Sequence, residues 1–320
     1  MSHILKTATL LILAMFSGLG QAIAADIVIG IPSWSSANAT AHVLKDVIEK
    51  RLNLDVAVKN GTNEEIFAGM DQGTMHVHPE VWLPNHIPLH NEYIIRRKSV
   101  VLSEKAVPAE QGICVTKQTA DAFDIRKIED LSDPAKAVAF DTNEDGRGEL
   151  WIGAKDWSST RIEKIRATSY GHAKTMQLLE AEETVAMAAI DAAVAVERPM
   201  AFFCYAPHYL FSLHDIVLLE EPPHDPRAWT ILDPAKEPDW LTKSSAKVAW
   251  ATSFLHVAYS SELADQHPKA AKLLSSVKLD VDTVSEMTYA IVVDGIDPAE
   301  YASKWVTENS KRVDQWLAAK

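Results

Sequence analysis

Four stretches of the chain concentrate side chains that can do chemistry: His76-Val77-His78-Pro79-Glu80-Val81-Trp82-Leu83-Pro84-Asn85-His86, Asp141-Thr142-Asn143-Glu144-Asp145-Gly146-Arg147-Gly148, Lys155-Asp156-Trp157-Ser158-Ser159 and Phe202-Phe203-Cys204-Tyr205-Ala206-Pro207-His208-Tyr209. In the first, His76, His78, Glu80 and His86 are the donor types of a zinc site, and a metal-binding protein or metalloenzyme is the rival reading they support. No H-E-x-x-H motif backs it, and His76 and His78, two apart, fall on one face of a strand with a surface or hinge role. In the second, Asp141, Asn143, Asp145 and Gly146 imitate the first half of a calcium loop, but Ile152 stands where the bidentate Glu belongs. These three polar residues are therefore weak metal candidates, and an Asp/Asn/Gly turn bonded to its own backbone is the plainer expectation. The third and fourth stretches offer aromatic faces, which attract cations and exclude water.

Other chemistries find little support. G-x-S-x-G, the phosphate-binding loop and G-x-G-x-x-G are all missing, so the motifs of common hydrolases, nucleotidases and dehydrogenases are absent. Acid pairs such as Glu182-Glu183 and Glu220-Glu221 are expected on solvated faces or loops. Lys and Arg number 31 against 44 Asp and Glu, a formal charge of −13. That balance opposes nucleic-acid binding and attachment to an anionic membrane surface. Nine Trp beside eight Phe and seven Tyr is an unusual ratio, since Trp is ordinarily the scarcest of the three. It directs attention to indole rings as working parts.

The elements that must position these residues are legible in outline. At 320 residues the chain has room for about two domains. Residues 1–25 combine Lys6, an apolar run from Leu10 to Phe16 and Ala22-Ile23-Ala24, the three parts of a cleaved secretory signal. No Cys follows to carry a lipid anchor, so the mature protein is expected in the periplasm. Cleavage removes Lys6 and no acid, leaving it one unit more acidic.

Asp26–Pro32, Asp55–Lys59 and Met75–Val81 read as strands, separated by helices over 36–52 (Val43, Leu44, Val47 and Ile48 on one face) and after a Thr62/Glu65 capping box, with Gly73 as the stop. Gly112–Val115, Val138–Phe140 and Met200–Tyr205 are further strand candidates, 174–196 a long helix, and the proline-rich Glu220–Asp239 a loop excursion. Val248–Ala258 returns to the sheet. Tyr301, Trp305, Val306, Val313, Trp316 and Leu317 keep helical spacing. Alternating strands and helices imply an α/β fold built on parallel sheets. Cys114 and Cys204, in the apolar runs GICV and AFFCYAP, are expected as buried free thiols, with pairing as the alternative in an oxidising compartment.

Taken together, Trp82-x-Pro84-x-His86, the phrase FDTNEDG from Phe140, Trp157 of DWSST and the aromatic run ending Tyr205-Ala206-Pro207 resemble the glycine betaine/proline betaine periplasmic binding proteins of ABC importers, over essentially the whole mature chain. The resemblance implies a two-lobed type II binding-protein fold, each lobe a mainly parallel sheet flanked by helices, closing by a hinge. Lobe one is expected at 26–116 plus 285–320 and lobe two at 117–284. It implies a monomer without cofactor or catalytic residues, an inner-membrane permease and ATPase as partners, and a betaine-type ligand in an aromatic box.

In that family's terms Trp82 and Trp157 are two walls, and Tyr205 stands where a third Trp is usual. His86 and the backbone N–H groups of Ser158 and Ser159 hold the ligand carboxylate. Trp34, just after the first strand, is a candidate fourth wall, while Trp151, Trp229, Trp240, Trp250, Trp305 and Trp316 are expected in packing. The Tyr keeps choline, carnitine, trimethylamine N-oxide or an amino acid open as alternative ligands.

Overall fold

The computed structural model describes residues 25–318; the expected signal peptide, Ala25 excepted, lies outside the described residues. The first part of the chain follows the sequence pattern closely. The apolar run IVIGI forms β1 (Ile27–Ile31), and β2 (Val56–Asn60) and β3 (Val77–Leu83) lie parallel to it on either side. The intervening helix Ser35–Leu52 buries Val43, Leu44, Val47 and Ile48 and ends on Asn53 in the left-handed region. Helix Asn63–Gln72 opens with the reciprocal Thr62/Glu65 capping box and closes on Gly73 at φ 71°, a backbone conformation that glycine adopts without a Cβ penalty.

β4 (Val100–Thr116) is the longest strand described, and it joins the two halves of the molecule. The second half adds β5 (Gly148–Trp151), β6 (Met176–Leu179), β7 (Ala201–Ala206) and β8 (Ile216–Leu218), with β9 (Trp229–Thr230) and β10 (Ser245–Ala246) forming a small separate ribbon. β11 (Ser253–Ser260) then returns to the first half. Among the described residues the main sheet runs β2-β1-β3-β11-β4-β7-β5-β6, with β8 also paired to β4. β11 pairs β4 from Ala109 back to Val100, whereas β7 pairs it from Glu110 to Val115. One strand thus serves both sheets, and β11 brings the chain back beside β3 and β4 from Ser253 onward. Among the described residues no helix is long and apolar enough to cross a membrane.

Three local expectations change. Val138–Phe140 is a 3₁₀ turn, not a strand, because it continues a helical turn begun by Asp133, whose side chain accepts from Ala135 N–H, and by Pro134 at the first helical position. Three apolar residues carry too little periodicity to tell the two apart. The helix expected over 174–196 is a strand, β6, followed by a helix from Glu183 to Ala195; β6 is claimed by its parallel pairing with β5. The Glu220–Asp239 excursion is tied down by buried Arg166, which contacts Glu163 at 2.9 Å, Glu221 and the Val248 carbonyl, with Tyr170, Trp229 and Trp250 around its guanidinium. Glu221 is therefore a buried partner, not a solvated acid.

Cys114 and Cys204 form a disulfide, with Cα atoms 5.7 Å apart, which corrects the expectation of free thiols. The β4–β7 register places Gly112 opposite Cys204 and Cys114 opposite Phe202, so the cysteines are diagonal neighbours. Here the β4–β7 pairing brings together residues 90 apart. Closing so long a loop restricts the unfolded chain, so reduction should lower unfolding stability by about 2–5 kcal/mol. Urea unfolding of the protein with and without reductant checks this; coincident curves would contradict it.

Candidate ligand-binding site

Four aromatic rings arrive at the site by the same device. Trp34 follows the carboxyl end of β1, Trp82 lies near the end of β3, Trp157 follows β5 and Tyr205 lies near the end of β7. β1 and β3 are parallel, as are β5 and β7. In open α/β sheets the crevice outside the carboxyl ends of the strands is where ligands are held. Here the crevices of the two half-sheets meet. Trp34, Trp82, Trp157, Phe203 and Tyr205 line one cavity together with Asn63, Asn85, His86, Gln111, Ser158 and Ser159. It holds about 340 Å³ of empty space, its opening to solvent included.

The rings stand as walls. Trp34 and Trp157 meet at 87° with centroids 6.3 Å apart, Trp157 and Tyr205 at 80° and 5.9 Å, and Trp82 and Tyr205 at 90° and 5.4 Å. The polar atoms of three of the rings, Trp34, Trp157 and Tyr205, are anchored. Trp34 Nε1–H donates to Glu80 at 2.8 Å, and the Tyr205 hydroxyl donates to Glu183. Trp157 Nε1–H donates to Ser33 Oγ at 2.9 Å, which donates on to Asp156 at 2.8 Å. Each donor chain ends on a carboxylate.

The two buried carboxylates differ. Burial raises Glu80 to about 7, against donors from Ser36, Trp34 and Thr40, with the nearby Glu183 charge adding to the rise. Burial also works against an ionised Glu183, but donors from His208, Tyr205 and the Ser35 N–H outweigh it and hold its pKa below the usual range. Burial and the Glu183 charge push the Tyr205 hydroxyl well above its ordinary value, so it stays a donor.

His86, Ser158 and Ser159, also at the cavity, offer hydrogen-bond donors. The Trp82 N–H points at His86 Nδ1, 3.2 Å away. A backbone N–H can only donate, so Nδ1 is the acceptor and the ring proton sits on Nε2. Burial, with the Arg161 charge, lowers His86 to about 3 and keeps it neutral. Ser158 and Ser159 open the helix Ser158–Tyr170, whose cap residue Trp157 makes no side-chain cap bond. Their N–H groups belong to the first turn, which has no intrahelical acceptors, and the helix dipole makes that end favourable for negative charge.

The structure brings all seven candidate residues, Trp34, Trp82, His86, Trp157, Ser158, Ser159 and Tyr205, to one cavity. The members of the histidine cluster are committed to other partners, although the His78 and His86 rings lie 6.2 Å apart. His76 Nδ1 accepts the Val28 N–H at 2.8 Å, His78 bonds Asn63 at 2.9 Å and accepts the Glu80 N–H, and Glu80 is taken by Trp34, Ser36 and Thr40. Asp141, Asn143 and Asp145 accept N–H groups of their own loop. Among the described residues no three His, Cys, Asp or Glu side chains are placed to hold a metal ion.

Glu183, expected on a solvated face, is 4% exposed, because it caps the space behind Tyr205. Asn63, Asn85, Gln111 and Phe203 were not singled out as site residues. Asn85 and Phe203 lie inside the conspicuous stretches. Gln111, which exchanges hydrogen bonds with Asn85 at 2.9 Å, has no local signal. Trp151 packs edge-on behind Trp157 at 5.8 Å, and Trp305 and Trp316 stack at 6.0 Å far down the chain.

His78, His86 and His172 are all buried and lowered in pKa, chiefly by burial, His86 and His172 to about 3. The unfolded chain binds their protons near 6.5, so unfolding takes up protons below that pH. Their contribution to stability is fully present above about pH 6.5 and is lost progressively down to about pH 3. Denaturant midpoints measured across this range should fall with acid; a flat profile would contradict neutral burial.

The comparisons with known proteins fit this geometry. The family model for the substrate-binding domain of ABC-type glycine betaine transport systems matches residues 25–308. The glycine betaine/proline betaine-binding periplasmic protein of Salmonella typhimurium is 22% identical over 216 residues, 65% of this chain and 64% of that protein. Its Escherichia coli counterpart is 24% identical over 217 residues, with the same shares of 65% and 64%. The aligned part thus spans a little under two thirds of each relative. Among solved structures, an ABC-transporter choline-binding protein in complex with choline superposes with a TM-score of 0.72 at 16% identity, covering 91% of each chain. Lactococcal OpuAC with glycine betaine does so at 0.69 and 20%, covering 91% of this chain and 98% of that one. These likenesses establish the two-lobed binding-protein fold. The chain belongs to the family of substrate-binding domains of ABC-type glycine betaine transport systems.

Proposed function

We propose that this protein binds glycine betaine, proline betaine or a related quaternary amine between its lobes and delivers it, in the periplasm, to an ABC permease and its ATPase. The carrying observation is that four aromatic rings and a set of neutral donors share one small cavity. A quaternary ammonium has no N–H, so hydrogen-bond acceptors cannot select it. Ring faces can, at about 0.5–2 kcal/mol each, and three or four such walls support micromolar affinity. Trp34, Trp82, Trp157 and Tyr205 are the walls. The ligand carboxylate takes the His86 Nε2–H and the Ser158 and Ser159 N–H groups. Lobe one comprises the β1–β3 half with β11 and the C-terminal helices, and lobe two the β5–β8 half, with β4 passing between them. Trp34, Trp82 and His86 then come from one lobe, and Trp157, Ser158, Ser159 and Tyr205 from the other. A ligand touching both favours the closed state by its differential affinity.

Titration with glycine betaine, proline betaine, choline and trimethylamine N-oxide should change the tryptophan fluorescence for at least one of them. No response to any methylated amine would overturn the reading. Trp157→Ala should weaken binding of the responding ligand about tenfold or more, the scale of one lost wall; unchanged affinity would remove Trp157 from the site.

A further inference from the structure

Glu80 does not line the cavity; it stands one layer behind Trp34. Its side chain is buried, and three donors converge on it: Trp34 Nε1–H at 2.8 Å, Ser36 Oγ at 2.7 Å and Thr40 Oγ1 at 3.2 Å. All three are neutral, so they solvate a charge on Glu80 without cancelling it. Neutral hydroxyl and indole donors would suffice to hold Trp34 in place with an amide or another hydroxyl as acceptor. A carboxylate is the costly choice at 2% exposure. Protonation relieves that cost in the free protein, and a nearby positive charge would relieve it in the charged form.

The other groups facing Glu80 do not supply one. Glu183, from the helix behind Tyr205, carries the same sign. His78, two residues along β3, is buried and held neutral, with its Nδ1 accepting the Glu80 N–H. On the remaining side Val107 of β4, Leu255 and Val257 of β11 and Val284 are apolar. A cation seated against the Trp34 ring in the cavity does supply it. A charge-assisted N–H bond to a carboxylate also pushes electron density into the indole and makes that face more attractive to a cation.

We propose that Glu80 is a specificity-determining residue of this cavity: its carboxylate, hydrogen-bonded behind Trp34, makes that wall select a positively charged head over a neutral group of the same shape. The inference rests on the quaternary-amine reading and extends it to a residue that touches no ligand. Glu80 acts through the indole as a positioning and polarising residue. It also couples binding to a proton. The free protein holds Glu80 partly protonated near neutrality; a bound cation favours the carboxylate, so binding releases a proton and tightens as pH rises.

The test uses two ligands that differ only in charge at the head, glycine betaine and 3,3-dimethylbutanoate, in which carbon replaces the quaternary nitrogen. Calorimetry is run on the wild type and on Glu80→Gln, whose amide oxygen still accepts the Trp34 N–H. Glu80→Gln should weaken glycine betaine about fivefold to tenfold while changing 3,3-dimethylbutanoate by less than about twofold. Equal weakening of both ligands, or of neither, overturns the proposal. Independently of any variant, wild-type affinity for glycine betaine should rise severalfold between about pH 6 and pH 8, with proton release seen as a dependence of binding heat on buffer ionisation enthalpy. His86 does not titrate in that window. A flat profile without proton release overturns the proposal. Failure of the wild type to bind glycine betaine or any other methylated amine at pH 8 would instead overturn the quaternary-amine reading beneath it.

Discussion

The anchoring of ring donors on carboxylates is the interaction on which the site depends. An indole or phenol buried at a cavity wall carries one polar atom that must be satisfied. If that atom pointed inward, the wall would be polar and wet. Here Trp34 gives its N–H to Glu80, Tyr205 its hydroxyl to Glu183, and Trp157 its N–H through Ser33 toward Asp156. The bonds fix ring orientation near right angles and leave apolar faces to the cavity. They also bridge the molecule: Ser35 N–H, just after Trp34, donates to the same Glu183 that holds Tyr205, so the rear of the box links β1 to the helix that follows β6.

The backbone makes this possible by sharing one strand. Residues Val100 to Ala109 of β4 belong with β11, while Glu110 to Val115 belong with β7. Two half-sheets with parallel strands therefore turn their carboxyl ends toward a common crevice. The disulfide between Cys114 and Cys204 secures β7 to β4 close to Tyr205, and Arg166 secures the loop excursion of the same half. Both fastenings lie in the half that carries Trp157 and Tyr205.

Much of this was readable from local pattern. The β1–β3 unit, its capping box and its glycine stop obey rules spanning three to seven residues, and they fold as those rules say. The short elements after Phe123 were harder. Val138–Phe140 and 174–196 differ from the local expectation because a three- or four-residue apolar run has no period of its own, and its state is chosen by what it packs or pairs with. The disulfide escaped for a related reason: its two cysteines are neighbours only through β4–β7 register.

The sequence alone determined the residue types of the site. Trp82, His86, Trp157 and the aromatic run at Tyr205 could be nominated because their motifs resemble those of the betaine-binding family, and ring faces are a chemistry suited to a cation that has no N–H. Tertiary structure decided which apparently ordinary acids belong with them. Glu80 and Glu183 looked like a metal ligand and a surface charge, yet both are buried behind the rings. Their roles arise from burial and from donors 22 to 148 residues away, and neither burial nor distant donors are encoded in the short-range spacing that a linear reading can follow.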